Sequence, residues 1–154
     1  NLLYTIDAQL EGQGWNAFAA FYGSHQDTDI EDSEASDNFG FVVQAGIFVT
    51  DQVELFARWD AMLFDDSILN SADEEAEDQH FITAGVNYYL SPESHAAKLT
   101  ADVIWALEST ADLFAAGDID NGISAGPVQD TRFGLLGTSE ENEFALRLQF
   151  QVVY

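Results

Sequence analysis

From 144 to 154 the chain reads FALRLQFQVVY, and its side chains separate cleanly by parity. Phe144, Leu146, Leu148, Phe150, Val152 and Tyr154 form one wholly apolar set. Ala145, Arg147, Gln149, Gln151 and Val153 form a second, mostly polar set. Successive side chains of a β-strand point to opposite faces, so this spacing predicts a strand with one greasy face and one wet face. Its length matches the roughly 9–11 residues that a tilted strand needs to cross a hydrocarbon core. An apolar face toward lipid, a polar face inward and Tyr154 at the interface suit a transmembrane β-barrel. A soluble sandwich strand could carry the same alternation.

The same pattern recurs upstream. It predicts strands over 2–11, 15–25, 39–50, 53–64, 80–90 and 95–108. The apolar parity carries Tyr4, Ile6 and Leu10; Trp15 and Phe21; Phe41, Val43 and Ile47; Leu55, Trp59 and Leu63; Ile82, Val86 and Tyr88; and Leu99, Val103 and Trp105. Apart from His80 at a strand end, the outward positions named here are apolar across all seven strands. The strand over 15–25 has a mixed second face, and its facing is the least defined.

Links between these strands alternate in length. Gly12-Gln13-Gly14, Asp51-Gln52 and Ser91-Pro92-Glu93-Ser94 are short; 24–38, 65–79 and 109–141 are long. Short periplasmic turns alternating with long outer loops are expected of an antiparallel up-and-down outer-membrane barrel. A lipocalin-like soluble barrel could use similar links, but its apolar faces would point inward. Seven strands is an odd number, and single-chain bacterial barrels of this kind are even. The chain is therefore expected to be the C-terminal part of a larger barrel. An eighth strand within 109–139, such as 131–136, is the alternative.

No run of about eighteen apolar residues is present, which removes a transmembrane helix and leaves a barrel open. Cysteine is absent, so no disulfide or thiol chemistry is available. A net charge of −24 argues against nucleic acid as a partner. Most of the 28 acidic residues collect in the long links, leaving the strands poor in acids. The clusters 27–37 and 73–78 read as solvated faces that could also take divalent cations weakly. Gly117-Asp118-Ile119-Asp120-Asn121-Gly122 has a calcium-loop flavour but lacks the distal bidentate Glu, and an Asn-Gly turn accounts for it. No metal site, cofactor or catalytic residue is expected. Ser94-His95 falls in a turn, and His25 and His80 lie at strand ends.

Two sets of residues are expected to matter. Arg58, Lys98 and Arg147, three of only four basic residues, fall on the inward parity with Glu54, Asp60 and Asp102. Gln149 and Gln151 join them as pore-lining candidates. Charges turned to lipid would cost about 2–4 kcal/mol at the midplane, which alone would drive them inward. They could form a structural ion-pair lattice or a basic strip easing the passage of anions. Trp15, Tyr88, Trp105 and Tyr154 are placed as membrane-interface aromatics, with Phe41 and Phe144 near the long-link ends.

The stretch FITAGVNYYLSPESHAA, continuing KLTADVIWAL, resembles the G-x-N-Y-Y-L…H-x-x-K-L-x-x-D block of the phosphate-selective porin O/P family. VELFARWD at 53–60 and LRLQFQVVY at the end are similar to two other strands of that family. The resemblance covers most of 39–108 and 143–154. It implies a sixteen-stranded-type homotrimeric porin in the outer membrane of a Gram-negative-type bacterium, passing small hydrophilic solutes or ions, anions such as phosphate among them. No phosphate-binding residue carries over. The function expected is thus passive diffusion through a water-filled channel. A non-conducting surface barrel whose acidic loops bind cations or a partner is one alternative, and a soluble ligand-binding barrel another.

Overall fold

Period-two alternation without helical spacing builds seven strands in the computed structural model, which describes residues 1–26, 35–66, 77–91, 94–110 and 141–152. They are β1 (Leu2–Gly12), β2 (Trp15–Gln26), β3 (Ser36–Thr50), β4 (Val53–Leu63), β5 (Gln79–Ser91), β6 (Ser94–Ala106) and β7 (Glu143–Val152). Each pairs antiparallel with its neighbour in sequence, giving one all-β sheet of order β1 to β7. No helix occurs among the described residues. The sheet is open: β1 and β7 are its two edges and do not pair with each other.

Boundaries shift by a few residues from those the pattern predicts. The largest change is at the start of β3, where Ser36, Asp37 and Asn38 extend the strand into the acidic segment. Register explains it: Gln26 pairs with Ser36 and His25 with Asp37, and the His25 ring lies 2.9 Å from Asp37 Oδ1. The last strand is described to Val152, so Val153 and Tyr154 lie outside the described residues. So do the Gly117–Gly122 segment and most of the two acidic clusters, and the side chains of Ser94 and His95 are likewise not described.

The two faces differ as the alternation requires. β5 shows it best, with Phe81, Thr83, Asn87 and Tyr89 buried and Ile82, Ala84, Tyr88 and Leu90 exposed between them. On the apolar side Leu146 and Leu148 are each 85% exposed, Val43, Ile47, Leu55 and Trp59 more than 40%. On the polar side the carboxylates of Glu54 and Asp102 are covered. A flat, wetted face would leave such side chains exposed. Here one concavity of about 1100 Å³ is lined by residues from β1 through to β6, so the sheet curls toward its polar face.

The short links are tied to the strand beyond them. Phe48 N donates to Gly14 O at 2.8 Å, and Tyr89 N donates to Gln52 O at 2.8 Å. Gln52 Nε2 adds a bond to Tyr89 O at 3.1 Å. Register slips by one residue between Phe48 and Thr50, and by two between Tyr89 and Ser91. Both bulges lie beside short links, where an extra residue tightens strand twist.

Candidate functional site: the polar face of the sheet

Cross-strand register assembles the polar face in rows. One row runs Glu11, Asn16, Gly46, Phe56, Gly85, Asp102, Arg147; the next, nearer the short links, holds Glu54, Asn87, Thr100 and Gln149. Glu54 is the hub between them. Its Oε1 accepts from Asn16 Nδ2, and its Oε2 accepts from Asn87 Nδ2 at 2.9 Å and Tyr89 Oη at 2.8 Å. Thr100 Oγ1 then donates to Asn87 Oδ1 at 2.6 Å, which fixes the orientation of that amide. A buried carboxylate is tolerated when donors surround it, and here four strands supply the network.

Two glycines make room for this layer. A Cβ on Gly46 would collide with the Glu54 carboxylate and crowd the Asn16 amide. A Cβ on Gly85 would stand 2.6 Å from Asp102 Cβ and 2.7 Å from Phe56 Cζ. The Phe56 ring occupies the space that a side chain at Gly85 would fill, a cross-strand aromatic–glycine pairing that also pins register.

The arginines expected on this face are there, and each has a carboxylate partner. Arg58 Nε lies 2.6 Å from Asp60 Oδ2, two residues along the same strand. Arg147 and Asp102 are register partners, with Nη2 2.7 Å from Oδ2. Each of these two arginines is thus charge-paired on this face. Lys98 differs, making no ion pair among the described residues. It lines the trough with Glu54, on which its charge exerts a Coulombic pull. Gln149 and Gln151 sit opposite Thr100 and Lys98 and are exposed on the edge strand.

On the other face, aromatic side chains gather toward the long-link ends. Phe21 packs between Tyr4, Phe39 and Phe41, with ring centroids 5.0–5.9 Å apart. Trp59 stacks on His80 at 5.9 Å, and Trp105 on Phe144 at 5.5 Å. Trp15 and Tyr88 are exposed toward the short-link ends. Trp105 Nε1 is buried without a hydrogen-bond partner, so this indole offers its ring and not its N–H. His80, a polar residue on the apolar parity, is covered by the Trp59 ring.

Sequence reasoning missed the acids at the roots of the long links, of which only Asp78 lay in a cluster read as a solvated face. Asp65 Oδ2 accepts from Asp37 N at 2.8 Å, Asp78 Oδ1 from Phe64 N at 2.9 Å, and Glu108 Oε2 from His80 N at 2.6 Å. Each satisfies a backbone N–H where a ladder ends. It also missed Asn16, Asn87 and Tyr89 as partners of Glu54, since only register shows which amides meet. Among the described residues no three metal-ligating side chains converge. No family model, curated protein or solved structure matches this chain.

Proposed function

We propose that this sheet is part of the wall of an outer-membrane porin: a transmembrane β-barrel enclosing a water-filled channel for small hydrophilic solutes or ions. The observation that carries it is the exposed apolar face. Seven strands spaced about 4.8 Å apart and about 25 Å long present on the order of 800 Å² of such surface, beyond the few hundred Å² that soluble monomers tolerate. Lipid is the solvent that leaves this face uncovered without cost.

The vertical dimensions agree. Tyr88 and His80 are the outward ring-bearing residues toward the two ends of β5, and the eight residue steps between them span about 27 Å along the strand. At a tilt of about 40° this is about 20 Å along the membrane normal, close to the roughly 25 Å apolar band of such barrels. The aromatic groups cluster near both limits, where headgroups would lie. His25 and Asp37, an outward-facing polar pair, stand beyond the Phe21 cluster at the long-link end, in the zone where water returns.

On the opposite face the ion pairs and the amide network would meet channel water. The free edges of β1 and β7 close the barrel by pairing with further strands, since hydrocarbon supplies no partner for an open edge. The resemblance of 39–108 and 143–154 to O/P porins points the same way, and with it the trimer. Single-channel recording from the full chain in planar bilayers tests the reading. Stepwise ohmic currents are expected; protein that is folded and inserted yet passes no current would overturn it.

A further inference from the structure

We infer that this wall favours cations over anions. The inference rests on the pore reading and adds the sign of charge that the channel prefers. On the polar face the strands carry Asp7, Glu11, Glu54, Asp60, Asp102 and Glu143 against Arg58, Lys98 and Arg147. Acids outnumber bases two to one, and geometry decides which charges an ion in the lumen meets.

The two guanidiniums are each charge-paired, Arg58 through Nε with Asp60 and Arg147 through Nε and Nη2 with Asp102, so neither adds net positive charge to the wall. Lys98 lines the same trough as Glu54, and their opposite charges offset each other there. What remains is β1. Glu11 lines the trough, and its carboxylate accepts only a neutral amide, Gln9 Nε2 at 2.6 Å. Its register partner is Asn16; that of Asp7 is Ala20. Their same-face neighbours on the strand are Thr5 and Gln9. Among the described residues no base is the register partner or same-face neighbour of Asp7 or Glu11, and both are exposed.

A water-filled lumen with low-dielectric walls focuses the field of such uncompensated charges. A wall potential of about one kT multiplies the cation-to-anion ratio by about seven, one Boltzmann factor for each ion. The preference should shrink as salt rises, because the screening length falls from about 10 Å at 0.1 M to about 3 Å at 1 M. This sign is opposite to that implied by resemblance to phosphate-selective porins, which would require bases free to meet the anion.

Reversal potentials in a KCl gradient across planar bilayers decide the matter, measured on the full chain and two variants. The wild type is expected to reverse on the potassium side, several-fold selective at low salt. Asp7→Asn/Glu11→Gln should lower the potassium-to-chloride ratio severalfold, and Lys98→Gln should raise it. The opposite signs of these shifts report on this wall whatever charges line the rest of the lumen. Reversal on the chloride side, or a potential unmoved by both variants, would overturn the inference and leave the pore reading standing. Folded, inserted protein without current would overturn the pore reading and the inference with it.

Discussion

The carboxylate of Asp102 is wholly covered while the Arg147 guanidinium that pairs with it is 48% exposed, and the two meet at one register position of β6 and β7. The pair is therefore lopsided. One partner depends on the other for its solvation; the reverse is not true.

That asymmetry sets the cost of breaking it. Arg147→Gln strands a buried charge and should destabilise the sheet by about 2–3 kcal/mol, below the full cost for a wholly buried pair because water reaches one side. Asp102→Asn leaves Arg147 free to hydrate and should cost about 1 kcal/mol. Urea unfolding of the two variants in the same detergent checks this. Equal losses would mean that Asp102 finds other solvation when its partner is removed.

Glu54 poses the converse problem, a carboxylate held by neutral donors. Glu54→Gln keeps an oxygen for Asn87 and Tyr89 while its new amide turns toward Asn16, whose own amide can flip to accept. The expected cost is about 1 kcal/mol. Glu54→Leu leaves three donors facing an alkyl group and should cost about 3 kcal/mol. Thermal unfolding of both variants gives the comparison; a leucine as well tolerated as glutamine would show that the carboxylate does not organise this layer.

Glycine positions separate steric from conformational demands. Gly85→Ala places a methyl within 2.7 Å of Phe56 and the Ala101 carbonyl, and should cost about 1–3 kcal/mol by overpacking. Shrinking the ring with Phe56→Leu in the same chain should recover part of that loss, the part due to the ring and not to the backbone oxygen. Gly14 stands in open space with φ of 78°, so Gly14→Ala should cost about 1 kcal/mol through backbone strain alone, with nothing for a second substitution to relieve. Denaturant midpoints of the single and double variants measure both.

Much of this fold was legible in the sequence because a strand writes its two faces in plain alternation. The faces of β5 and β7, the order of short and long links, and the inward parity of Arg58, Lys98 and Arg147 all follow from period two alone. Partner choice was not legible. That Arg58 turns to Asp60 on its own strand while Arg147 reaches Asp102 on the next depends on register, which parity leaves open to shifts of two. Asn16 and Asn87 lie far apart in sequence and meet at Glu54 only because β2, β4 and β5 align through Gly46. Ser36 to Asn38 read as loop because they are polar, yet pairing with β2 carries them into the strand. Closure was not legible either: the described sheet is open, and its edge strands β1 and β7 do not pair with each other.

The sidedness of β7 gives the sharpest test of orientation, because Leu146 and Gln149 lie three residues apart on the same edge strand, point to opposite faces and are both exposed. In water the two sites are equivalent, and an arginine at either should change stability by no more than about 0.5 kcal/mol. In lipid they are not. Leu146 pairs with Val103 in the row that continues through Ala84 and Ala57 of the apolar face, near mid-strand. Leu146→Arg should then cost about 2–4 kcal/mol, and the protein should fail to insert or unfold at lower urea in liposomes. Gln149→Arg, on the polar face beside Thr100, should insert as well as the wild type. Folding yields into liposomes, read by protease protection, compare them directly. If both arginines insert equally, the apolar face does not meet hydrocarbon; if Gln149→Arg alone is excluded, the sheet faces the other way.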